Sequence, residues 1–100
     1  MIGAGKDISA NHLSMLREIL NKYIPGVQVW AHGSRVKQAA KAYSDLDLVV
    51  FSSPSQSAKV SALREELLES DIPFLVDIMV WDEIPESFRR IVEESYFVIQ

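Results

Sequence analysis

Behind Ser9, Leu13, Leu16, Leu20 and Tyr23 recur at helical spacing, and Pro25-Gly26 ends the pattern. This predicts a first helix over about residues 10–23, with Ser9 as its N-cap. Val27-Gln28-Val29-Trp30-Ala31 is rich in β-branched and aromatic residues and reads as a short strand. Gly33-Ser34 then reads as a turn, and Arg35 to Lys41 can form one or two helical turns leading from it. Asp45 to Phe51 is a second strand, followed by a polar loop from Ser52 to Ser57. Val60, Leu63 and Leu67 mark a helix ending near Ser70. Phe74 to Trp81 is a third strand in which apolar residues flank Asp77 on both sides, the pattern of a strand buried on two faces. A last helix begins near Pro85 with Phe88, Ile91 and Val92 as its apolar stripe. The tail Tyr96-Phe97-Val98-Ile99 is β-prone and too apolar to leave exposed, so it either completes the sheet or docks on another chain. The order helix, strand, turn, strand, helix, strand, helix predicts an α+β fold, a small β-sheet with helices packed against it.

A chain of 100 residues reads as a single domain, 1–100, with no internal repeat. An apolar content of 48% fits a globular protein, and the absence of cysteine excludes disulfides and thiolate chemistry. The first residues lack the apolar core of a signal peptide and no run is long enough to span a membrane, so a cytoplasmic protein is expected. Net charge is −4, so direct binding of long nucleic acid is not expected; a small nucleotide neutralised by metal, or a basic partner surface, suits the chain better.

The candidate chemistry lies around the second strand. Asp45 and Asp47 stand at i and i+2, so both point to one face of a strand. Their Cβ atoms then lie roughly 6–7 Å apart, a separation from which two carboxylates can lean around paired divalent ions. The plain alternative is a polar turn followed by a solvated strand position. Against it, Asp is disfavoured in strands and Leu48-Val49-Val50-Phe51 follows at once. A buried, unpaired Asp77 would cost several kcal/mol. It therefore calls for a partner, either a cation such as Arg35 or a lysine, or a metal shared with Asp45 and Asp47. Gly33-Ser34 opens a helical turn whose backbone N–H groups and hydroxyl can hold an anion. Arg35 directly follows and can contact phosphate or pair with a carboxylate; Lys37 and Lys41 read as a solvated helix face. Trp30 and Trp81 read as core or rim residues. His32 reads as a packing or capping residue, with His12 far off on the first helix.

Gly33-Ser34, ten intervening residues, then Asp45-Leu46-Asp47, with Asp77 on a later strand, resembles the nucleotidyltransferase superfamily that includes DNA polymerase beta and kanamycin nucleotidyltransferase. Within it the chain looks most like the minimal nucleotidyltransferases, small proteins usually encoded beside a HEPN-domain partner. Two positions differ from the family's habit: Gln38 where a glycine is common, and His32 where an aromatic residue often precedes Gly-Ser.

The resemblance implies a mixed sheet of the polymerase beta palm type. It implies an enzyme that binds a nucleoside triphosphate, ATP being the expected one, and moves its nucleoside monophosphate to a hydroxyl. Two Mg²⁺ ions, for which Mn²⁺ can substitute, would be held by Asp45, Asp47 and Asp77, and the triphosphate by Gly33, Ser34 and Arg35. A tyrosine of a HEPN toxin is one implied acceptor. The alternative implied by the same resemblance is an antitoxin that neutralises a HEPN ribonuclease by covering it, with catalysis dispensable. Homo-oligomers are expected when that partner is absent.

Overall fold

The computed structural model describes residues 8–32 and 45–100. The Gly33-Ser34 turn, Arg35 and the helical turns expected up to Lys41 lie outside the described residues. Among the described residues the elements are α1 (Ala10–Tyr23), β1 (Val29–His32), β2 (Leu46–Val50), α2 (Ser57–Glu69), β3 (Val76–Val80), α3 (Glu86–Glu94) and β4 (Tyr96–Val98). The α+β reading holds.

Each element follows from a local signal. The Ser9 hydroxyl accepts the His12 backbone N–H at 3.1 Å and starts α1. Gly26, with φ of 77°, takes the left-handed turn after Ile24 that lets the chain leave the helix and enter β1. Pro85 caps α3 rather than opening it, since its backbone is extended and Glu86 is the first helical residue.

The strands form one mixed sheet in the order β3-β2-β1-β4. β1 pairs antiparallel with β2 and with β4, and β2 pairs parallel with β3. The parallel step is the one bridged by α2, as a crossover requires. Successive residues of a strand point to opposite faces, so the sheet divides its side chains cleanly. Val29, Ala31, Leu46, Leu48, Val50, Ile78 and Phe97 face α1 and α2 and are buried there with Leu16, Leu20, Leu63 and Leu67. Full burial of a leucine or valine contributes roughly 1.5–3 kcal/mol, so this inner face holds the fold together. The opposite face carries Trp30 and His32, Asp47 and Val49, Asp77 and Met79, and Tyr96 and Val98.

The tail completes the sheet: β4 lies beside β1, with Phe97 and Ile99 buried in the core. Arg17 Nε donates to the Ile99 carbonyl at 3.1 Å, and the Gln100 amide donates to the Ile24 and Val27 carbonyls at 2.8 and 2.9 Å. Two expectations are corrected. Ile91 is not part of the inward stripe of α3 but is 51% exposed; Phe88 and Val92, one turn apart, do the packing. β3 is not buried on two faces: it is the edge of the sheet, and Asp77 is exposed. No helix among the described residues is long and apolar enough to cross a membrane.

Candidate active site

β2 begins one residue after Asp45. Its even positions Leu46, Leu48 and Val50 enter the core, which forces Asp47 to the opposite face. The strand register then decides what Asp47 meets. On one side its Cα partner is Asp77 of β3; on the other it is His32 of β1, which is itself paired with Tyr96 of β4. A single row therefore crosses the sheet: Tyr96, His32, Asp47, Asp77. Neighbouring strands lie about 4.8 Å apart, so the two carboxylates are adjacent, and Asp45 stands two residues before Asp47, just ahead of β2.

The electrostatics record that closeness. The Asp47 carboxyl is half-buried and its pKa is raised above the ordinary carboxylate value, first by burial, then by the charge of Asp77, then by that of Asp45. The two ion pairs among the described residues, Lys22–Glu66 and Arg90–Glu86, lie elsewhere. The alternative of an Asp77–Arg35 pair concerns a residue outside the described ones. Asp77 is not the buried acid that the flanking apolar residues suggested. Solvent reaches it because β3 is the last strand of the sheet among the described residues, so the desolvation cost that seemed to require a partner does not arise.

The donor set is three carboxylates, hard oxygen ligands that suit Mg²⁺ or Mn²⁺ rather than a soft metal. Among the described residues no three His, Asp or Glu close around a common point. The oxygen chemistry of these acids suits a hard divalent ion, but their arrangement among the described residues does not form a site around one.

α3 closes the far side of this face. Phe88 sets its ring edge-on to His32, with centroids 5.5 Å apart, and Val92 is fully buried beneath the helix. Arg89 Nε donates to the Trp81 carbonyl at 3.1 Å while its guanidinium lies 5.1 Å from the Trp81 ring centre. Trp30 stacks on Tyr96 at 3.8 Å and meets Phe51 and Trp81 edge-on at 4.7 and 5.7 Å. His32 is thus a packed residue at 7% exposure, as expected, and it is the last residue of β1, immediately before Gly33 in the sequence. The two tryptophans form one aromatic cluster beside the acidic row. The sequence reading did not anticipate Tyr96 and Phe88 in this region. Period-two alternation from Trp30 to His32 was the available signal for the row; the strand order that brings in Tyr96 is long-range information.

The nucleotidyltransferase domain, as a family model, matches residues 13–99. That range takes in the described strands, α2, α3, most of α1 and every candidate site residue. The chain belongs to the nucleotidyltransferase family and is an enzyme that transfers nucleotidyl groups. Among curated relatives it is 43% identical over 95 residues to the "Probable protein adenylyltransferase MntA" of Haemophilus influenzae, an alignment covering 94% of this chain and 83% of that protein. This likeness sets it among the minimal nucleotidyltransferases.

Proposed function

We propose that the chain moves AMP from ATP to a hydroxyl of a protein, with Asp45, Asp47 and Asp77 as its catalytic carboxylates. The observation that carries the reading is the register pairing Asp47 with Asp77, two residues from Asp45. The relative's adenylyltransferase name supports the choice of nucleotide and the protein acceptor. Asp45, Asp47 and Asp77 would hold Mg²⁺, or Mn²⁺ in its place. When bound, such ions supply a lowered acceptor pKa and neutralise charge on the triphosphate.

The remaining work belongs to the chain. Gly33, Ser34 and Arg35 would hold the β- and γ-phosphates through backbone N–H groups, a hydroxyl and a guanidinium. The acceptor oxygen bonds to the α-phosphorus, the bond from that phosphorus to the bridging oxygen breaks, and pyrophosphate leaves. Asp77, open to solvent on the edge strand, would take the acceptor proton and pass it to water. Phe88, Val92 and the aromatic cluster keep water from the floor of the row.

A HEPN-domain protein is the acceptor that the resemblance implies. Neutralisation of such a partner by covering alone loses one motive, because Phe97 and Ile99 are used inside this chain. Incubation with the co-expressed partner and ATP labelled at either the α- or the γ-phosphate separates the chemistries. Label arriving from the α-phosphate is expected. Label arriving only from the γ-phosphate would mean phosphoryl transfer and overturn the proposal.

A further inference from the structure

Asp47 has a neighbour on each side along the sheet. Its Cα partner on β3 is Asp77, and its Cα partner on β1 is His32. Across an antiparallel pair such side chains share a face, with Cβ atoms about 4.5–5.5 Å apart. The Asp47 carboxylate can therefore turn toward the second acid or toward the imidazole. Two like charges repel, so a carboxylate free at χ1 would turn away from Asp77. The His32 side is filled. That residue is only 7% exposed, and the Phe88 ring meets its imidazole edge-on, with centroids 5.5 Å apart and planes at 76°. Phe88 is itself held by its helix. The Arg89 Nε bond to the Trp81 carbonyl, at 3.1 Å, ties α3 to the residue that follows β3. Val92, one turn beyond Phe88, is fully buried.

Resting on the reading of Asp47 as a catalytic carboxylate, we infer that Phe88 is a positioning residue: it wedges the His32 ring against Asp47 and so keeps that carboxylate turned to Asp77. The half-burial of Asp47 agrees with a side chain enclosed on its His32 side. Of the two charges that act on it, that of Asp77 outranks that of Asp45, as a carboxylate turned across the sheet requires. Phe88 needs no polar atom for this task and does not reach the reacting groups. It restricts the rotamer of a residue that does, which is how a supporting shell makes a site ready before substrate arrives.

Three-bond couplings from the backbone nitrogen and carbonyl carbon to the Asp47 Cγ read its χ1 directly, in protein free of ATP and metal. Wild type is expected to show one rotamer. Phe88→Ala should show averaged couplings, and its kcat for transfer of α-phosphate label to the co-expressed partner should fall on the order of tenfold. Phe88→Tyr keeps the ring and should restore both. Phe88→Leu, a milder change, should show averaging in the same direction where Phe88→Ala does not fold. Val60→Ala trims the inner face instead; it should lower the unfolding midpoint and leave the Asp47 couplings as in wild type. A single Asp47 rotamer in the Phe88 variants overturns the wedge. Equal averaging in Val60→Ala also overturns it, because the effect would then be general loosening. Averaged couplings with an unchanged kcat support the wedge and count against Asp47 as a catalytic carboxylate. A single rotamer in every Phe88 variant, with transfer lost in Asp47→Asn, supports the catalytic reading and removes the wedge.

Discussion

The two faces of the sheet are built from the same short strands and do different work. Leu46, Leu48 and Val50 alternate with Asp45, Asp47 and Val49 along one segment, so a shift of one residue would carry the acids into the core. The inner face is a dry contact of leucines and valines with α1 and α2. The other face gathers two paired carboxylates, a histidine and an aromatic cluster, and leaves Asp77 open to solvent. The comparison teaches that sequence parity separates the residues that hold the fold from those proposed to carry the chemistry. It also shows that the acidic face has a cost: burial first, and then the charges of Asp77 and Asp45, raise the pKa of Asp47.

The largest effect expected from breaking this division is on activity. Asp47→Asn should lower nucleotidyl transfer roughly a thousandfold, with far-ultraviolet circular dichroism and the unfolding midpoint retained. Asp77→Asn should fall in the same direction. Transfer by Asp47→Asn at the wild-type rate would remove this face from the chemistry. On the inner face, Leu48→Ala should cost about 3 kcal/mol of stability in urea unfolding, because Leu48 is fully buried. At temperatures where it remains folded, that variant should keep its metal affinity.

A third prediction concerns pH and has the opposite sign for stability. The folded protein holds the Asp47 proton to higher pH than the unfolded chain does, so the native state loses stability as pH rises from the ordinary carboxyl range through the raised value. Asp47→Asn removes that loss. In chelator-treated protein the variant should therefore melt above wild type at neutral pH. The gap should close as pH falls below the ordinary carboxyl range, and added Mg²⁺ should raise wild type alone. The smallest effect should come from the surface pair. Glu66 accepts from Lys22 and Tyr23, which lowers its pKa. Its contribution is present above the ordinary carboxyl range and is lost as pH falls through the lowered folded value. Glu66→Gln should thus cause only a slight drop in melting temperature at neutral pH, and none in strong acid.

Much of the fold could be read from the chain. The leucine spacing of α1 and α2, the Ser9 cap and the alternation in β2 each follow a local rule, and the structure keeps them. The proximity of Asp45 and Asp47 was also legible, because i and i+2 on a strand share a face. What was not legible is long-range. Apolar residues around Asp77 suggested a central strand, but strand order is set by which edge the α2 crossover reaches, and here β3 falls at the edge. Ile91 looked like part of an inward stripe, but α3 packs through Phe88 and Val92. The two readings of the tail could be decided only by the pairing of Tyr96 and Phe97 with β1.

Calorimetric titration of Mn²⁺ into wild type and into the Asp45→Asn, Asp47→Asn variant, each with and without a non-transferable ATP analogue, tests the site most directly. Wild type should bind Mn²⁺, and bind it more tightly with the nucleotide present, while the variant loses both the binding and the nucleotide's enhancement. Equal metal and nucleotide binding by the two proteins would contradict the assignment of the carboxylate row as the catalytic centre.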